Sequence, residues 1–228
     1  EPLLIYALGT LWYGLFNWFW FWIWREQPLR ESLSLLYREL ADYCEAKYSL
    51  LTQHTDPEKA LPPLLVRQQK AVDLITQCYQ QMHMLSAQNN TDYKRMLRIF
   101  QEALDLQEHI SVSLHQPEEV QKLVERSHAE EVIRWNAQTV AARLRVLADD
   151  ILYHRLPTRF TMEKQIGALE KIARQHPDNP VGQFCYWHFS RIARVLRTQK
   201  PLYARDLLAD KQRRMPLLPA PNSYLSLK

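Results

Sequence analysis

The sequence predicts an all-α protein: one transmembrane helix followed by a cytoplasmic antiparallel bundle of about six helices. Three observations carry that expectation. The first is Leu3–Trp24, LLIYALGTLWYGLFNWFWFWIW, 22 residues without a charge in which only Thr10 and Asn17 are overtly polar. The second is composition. With 4 glycines in 228 residues, many Leu, Gln, Glu and Arg, and few β-branched runs, helix is favoured over sheet. The third is a series of apolar stripes stepping by three and four residues, interrupted by short, proline-bearing connections.

As a helix, Leu3–Trp24 is about 33 Å long and matches a hydrocarbon core of about 30 Å. It does not read as a signal peptide, because a basic n-region, a short apolar core and a small-residue cleavage site are missing. It does not read as a barrel strand, because WFWFWIW is apolar on both parities. A buried helix of a globular protein is the remaining alternative, and few such cores hide so long an uncharged run. Trp18, Trp20, Trp22 and Trp24 encircle the helix end in the manner of an interfacial belt. Arg25 and Arg30 follow, while Glu1 is the only charge before the run, so the positive-inside tendency places the polar remainder in the cytoplasm.

The whole-chain mean hydropathy of −0.39 dilutes this one run among polar residues. Cys44, Cys78 and Cys185 are widely spaced and form no CxxC pair, the pattern of buried thiols in a reducing compartment. Asn89-Asn90-Thr91 matches a glycosylation sequon, a chance match on the cytoplasmic reading. Both ends of the chain read as cuts through a longer protein.

Pro28 suits the first turn of a new helix over about 29–53, whose stripe is Leu33, Leu36, Leu40, Tyr43, Lys47 and Leu50. HTDPEKALPP then breaks the pattern. A helix over about 62–88 carries Leu65, Val72, Ile75, Tyr79 and Met82, with Gln68 in the same stripe. Thr91 is placed to cap the next helix, which runs to about His115 with two ladders: Tyr93, Leu97, Phe100, Leu104 and Met96, Ile99, Ala103, Leu106, Ile110. Pro117-Glu118-Glu119 starts a fourth helix that reaches about His154 or breaks near Ser127. Leu156-Pro157-Thr158 ends it. A fifth helix over 161–175 uses Ile166, Leu169 and Ile172. After His176-Pro177-Asp178-Asn179-Pro180, a sixth over 181–199 carries Phe184, Trp187, Ile192 and Val195. Short connections between such stripes argue for antiparallel packing.

Catalytic chemistry finds little footing. Asp150 with His154 and His128 with Glu131 are the best local histidine sets, but neither supplies three metal ligands and no HExxH pattern occurs. No nucleophile elbow, phosphate-binding glycine loop or dinucleotide fingerprint is present, so neither an enzyme nor a cofactor is expected. Charge is more informative. Residues 101–131 hold eight acids against Lys122 and Arg126, whereas residues 191–214 hold eight bases against Asp206 and Asp210. Arg191, Arg194 and Arg197 form a basic stripe. It suits anionic headgroups, given a span elsewhere in the chain, or a plain solvated face; no recognised nucleic-acid motif accompanies it. Asn17, the one polar residue deep in the span, is placed for contact with another helix or a transport pathway.

The Trp-rich run, LYRELADYCEAKYSLL, ALPPLLVRQQKAVDL and FCYWHFSRIARVL together resemble the YccS/YhfK branch of bacterial inner-membrane proteins, on its YccS side. That branch is related to fusaric-acid-resistance and aromatic-acid efflux proteins. The resemblance implies that residues 1–27 close one membrane block, 28–215 form a cytoplasmic helical domain, and 216–228 lead into a further block. It also implies transport without catalysis, the bundle serving as scaffold or gate. The alternative is a membrane-tethered interaction module. Expected partners are membrane lipid, the remaining transmembrane helices of a longer protein and a further copy of the chain, not nucleic acid.

Overall fold

The computed structural model describes residues 2–24, 26–53, 57–85, 91–111, 117–153, 155 and 160–214. Among them the secondary structure is all helical: α1 Pro2–Trp24, α2 Gln27–Thr52, α3 Pro57–Leu85, α4 Thr91–Ser111, α5 Pro117–Arg126, α6 Glu130–Leu152, α7 Glu163–Gln175 and α8 Pro180–Arg214.

Helix α2 is the axis of the bundle. It packs most extensively against α6, then α3, with α4 and α5 completing its surround. Its predicted stripe is fully realised: Leu33, Leu36 and Leu40 are completely buried, and Tyr43, Lys47 and Leu50 nearly so. Leu29, Tyr37, Ala41, Cys44, Tyr48 and Leu51 extend the buried face over more than half the circumference, wider than one stripe predicts. The remaining edge is charged and tied to its neighbours. Arg145 of α6 lies 2.7 Å from both Asp42 and Glu45, and Arg38 lies 2.7 Å from Asp149. Lys70 of α3 pairs with Glu39 at 2.5 Å. Such pairs contribute little energy individually, but they select neighbours. Directed hydrogen bonds add register: Tyr37 Oη donates to the Ile99 carbonyl at 3.0 Å, and Gln121 Nε2 donates to that of Leu50 at 2.6 Å.

Of the two alternatives for the fourth predicted helix, the break near Ser127 is the one present. The Ala129 N–H donates to the Val124 carbonyl and the His128 N–H to that of Glu125, closing α5 with the two bonds of a Schellman motif. His128 holds φ at 50°, the left-handed conformation this cap requires. Asn179 then caps α8, its Oδ1 accepting from the Val181 N–H at 3.0 Å. The α7–α8 hairpin is close: a Cβ on Gly182 would lie 3.3 Å from the Ala173 Cα.

Several expectations are corrected. Helix α3 starts at Pro57, not near 62, and carries Pro62 and Pro63 beyond its first turn, giving up two backbone donors. Its predicted stripe is only half buried: Leu65, Val72 and Tyr79 are 53%, 40% and 63% exposed, while the core face is Ala71, Cys78, Met82 and Leu85. Periodicity finds both faces but cannot say which one meets α2. In α4 the ladder from Met96 to Ile110 is buried and the Tyr93 ladder only partly. Helix α8 runs through Pro201 to Arg214, well past 199. Arg25, the Asn89–Asn90 turn, His154, the Leu156–Thr158 stop and residues 216–228 lie outside the described residues.

By mean hydropathy, no helix among the described residues is long and apolar enough to cross a membrane. The transmembrane assignment of Leu3–Trp24 therefore lacks support on that measure. The physical reason is composition: Tyr6, Trp12, Tyr13, Asn17 and the tryptophans from Trp18 to Trp24 carry N–H, O–H or amide groups that pull down the average set by Leu, Ile and Phe. Even so, among the described residues no other helix packs extensively along α1.

The Schellman cap yields a stability prediction. His128→Gly should stabilise the bundle by up to about 1 kcal/mol, since glycine adopts the left-handed conformation without the Cβ clash. Denaturant unfolding of the purified protein checks it; a loss of stability would contradict the cap.

Candidate functional site

The basic stripe does not stay together on the folded helix. A step of three residues falls about 60° short of a full turn, so Arg191 and Arg197 end up about 120° apart. Arg191 stacks over the Trp187 ring, 5.0 Å from its centroid. Arg194 and Arg197 instead border a groove of about 350 Å³ between α7 and α8. One wall is Glu163, Ile166, Gly167 and Glu170; the other is Ser190, Ala193, Arg194 and Arg197; Phe160 and Met162 close one end. Glu170 is already held by Arg174 at 2.5 Å. Among the described residues no carboxylate pairs with Arg194 or Arg197, and the Ser190 hydroxyl has no hydrogen-bond partner. Arg143 of α6 sits behind Phe160, its guanidinium 5.3 Å from the ring. The groove thus offers two free cations beside an apolar end, an arrangement that can hold an anionic group carrying an apolar substituent.

Helix α1 is sorted into two faces. At 100° per residue, Tyr6, Gly9, Thr10, Tyr13, Gly14 and Asn17 fall on one side. Leu8, Leu11, Trp12, Leu15, Phe16, Trp18 and Phe19 fall on the other, and each is more than half exposed. The polar side is notched: Tyr6, Gly9, Thr10, Tyr13 and Gly14 line a shallow concavity. Thr10 satisfies its hydroxyl on the Tyr6 carbonyl at 2.9 Å, whereas Asn17 is exposed, with no partner among the described residues. Arg30 at the start of α2 is held by Glu26 at 2.9 Å.

Sequence reasoning missed a third place, where α2, α4 and α8 meet. Lys47 is 4% exposed and donates to the Ile110 carbonyl near the C-terminus of α4, where the helix dipole favours a cation. Burial pushes its pKa down to about 8, with the Cys44 and Cys185 thiols opposing the shift. Those thiols are pushed up to about 12 by burial, so they stay protonated and unreactive. His188, 1% exposed, lies between the rings of Phe184 and Trp187, 4.2 and 5.1 Å away. Burial, with smaller effects from Lys47 and His109, lowers its pKa to about 4. The one visible signal was Lys47 interrupting an apolar stripe. No group of three metal-ligating side chains forms among the described residues, and Asp150 and His128 sit apart, one on α6 and one in the α5–α6 break.

With the geometry in place, likeness to other proteins decides the family. Residues 1–207 match the family described as FUSC-like inner membrane protein yccS. The chain belongs to that family. All of its 228 residues are 99% identical to YhfK of Escherichia coli (strain K12). Within the YccS/YhfK branch, this long identity is therefore on the YhfK side. The chain spans 33% of that FUSC-like relative. No solved structure matches it.

The buried titratable groups set a pH dependence. His188 has a folded pKa of about 4 against an ordinary 6.5, so its neutral-state contribution is full above 6.5 and is lost as pH falls toward 4. His188→Phe should remove that acid-side loss, on the order of 2–3 kcal/mol across the window. Lys47, at about 8 against 10.5, penalises the fold below 8 and relieves it as pH rises to 10.5. Lys47→Met should flatten that rise. Unfolding free energies from pH 4 to 10.5 test both.

Proposed function

We propose that this chain is the junction between membrane and bundle in an inner-membrane transport protein that exports organic acids. On this reading α1 lies in the bilayer, closing a membrane block. Residues 28–215 form a cytoplasmic, non-enzymatic scaffold that gates or assembles the spans around it. The observation that carries the reading is the pairing of two opposite helices across a two-residue link. Helix α1 has every described large apolar side chain exposed and, among the described residues, no helix packed extensively along it, while α2 is the most enclosed helix of the bundle. Exposed aromatics and leucines on that scale require a non-aqueous partner. The inner-membrane family supplies the setting. The notched face from Tyr6 to Asn17 suits close packing against a neighbouring span, since small residues let backbones approach and Asn and Thr hydrogen-bond across. The leucine and aromatic face then meets lipid.

Efflux of labelled aromatic carboxylates from cells carrying the full-length protein, with and without residues 28–215, tests this reading. Export that collapses on the deletion, with the protein still inserted, is the expected result. Equal fluxes in all cells would sink it.

The unpaired Arg194 and Arg197 favour a second reading, a tethered module that binds anionic lipid at the α7–α8 groove. Arg194→Glu with Arg197→Glu should then reduce binding of the bundle to phosphatidylglycerol vesicles at least tenfold at low salt. Arg191→Glu, already engaged with Trp187, should matter less. Equal binding by all variants rules the groove out.

A further inference from the structure

The exposed half of α3 has a pattern of its own. Leu61, Leu65, Gln68, Val72, Ile75, Tyr79 and Met82 alternate steps of four and three without a fault, the a/d spacing of a helix that packs along another helix. The bundle uses only one edge of this seam. Met82 is buried and Ile75 partly so, but Leu61, Leu65, Val72 and Tyr79 are 42%, 53%, 40% and 63% exposed. The face is also short of charge. From Ala60 to Leu85 the charged residues are Arg67, Lys70 and Asp73. Arg67 and Lys70 are drawn to Glu39 and Asp42 on α2, and Asp73 accepts from Gln69 Nε2 at 2.9 Å. Solvated helix faces are ordinarily charged, as the outer edge of α2 is; depletion of charge around aromatic and aliphatic groups marks the centre of an interface.

We propose that the Leu61–Tyr79 face of α3 is where two copies of this chain pair, helix against helix. Three features select a second copy as the occupant. The heptad spacing asks for a helical partner with the same spacing, which a second α3 provides. The seam positions themselves carry no charge, with Asp73 one residue off the line, so the face meets itself without burying an unpaired ion. It also lacks the free Lys and Arg that hold an amphipathic helix on an anionic membrane. Area agrees: the four exposed side chains offer roughly 400 Å² of apolar surface, so two copies with their flanking glutamines and Thr76 bury on the order of 1,000 Å², the lower bound for a specific interface.

The test uses full-length protein in membranes and in detergent. Single cysteines are placed at Val72, on the seam, and at Met84, which is exposed but lies off it. A short bismaleimide should link Val72→Cys into a species of twice the chain mass and leave Met84→Cys unlinked. Leu65→Glu with Tyr79→Glu should abolish the link and halve the mass by light scattering, with unchanged helical content and melting. As a milder pair that spares folding, Leu65→Ser with Tyr79→Ser should weaken the link severalfold. A doubled mass that survives both pairs of substitutions overturns the proposal. So does a monomeric full-length protein, or a seam cysteine that links within its own chain.

Discussion

The enclosure of α2 is the constraint on which the rest of the bundle depends. An apolar face wider than half a helix cannot be covered by one neighbour, so α6, α3, α4 and α5 all have to gather around it. Its charged edge then separates those neighbours. Arg145 and Arg38–Asp149 hold α6 in register, while Glu39 reaches α3 through Lys70 and Arg67. Apolar burial supplies the energy and the ion pairs supply the address, because exposed pairs contribute little to stability but disfavour mispairing. Helices α7 and α8 need a different device. They close on each other through Gly182 and on α6 through Asn136, whose Nδ2 reaches the Gln165 carbonyl at 3.2 Å.

Much of this was legible in the chain. The α2 stripe, the buried ladder of α4 and the interruption at Ser127 follow from three-and-four spacing and from a long run unlikely to remain one helix. What failed shows the limit of local pattern. In α3 two apolar stripes overlap, and periodicity weighs them equally; only the position of α2 decides that Ala71 and Cys78 face inward and Val72 outward. In α8 the predicted helix stopped near 199, yet it runs on to Arg214. The arginine stripe was legible as spacing but not as geometry, since the 60° drift per step hands Arg191 to Trp187 and the other two to the groove. The His188 and Lys47 cluster joins residues about 140 positions apart, which no local window can bring together.

Helix α1 and the bundle distribute their apolar side chains differently. The bundle buries Leu, Ile and Phe and leaves charge outside, as water demands. In α1 the described leucines, phenylalanines and tryptophans are exposed on one side, and the notched side carries the glycines, Thr10, Asn17 and the two tyrosines. That exposed apolar face fits a family of the inner membrane, and indole and phenol groups, polar at one end and apolar along the rest, keep the segment's average hydropathy low.

The two-residue link between α1 and α2 has a geometric corollary. Three Cα steps join Trp24 to Gln27, so the two helix ends stay within about 11 Å of each other. The azimuth of α2 is pinned by its enclosure. The bundle therefore anchors the foot of α1, and whatever covers its exposed apolar face must also come close to the N-terminal end of α2.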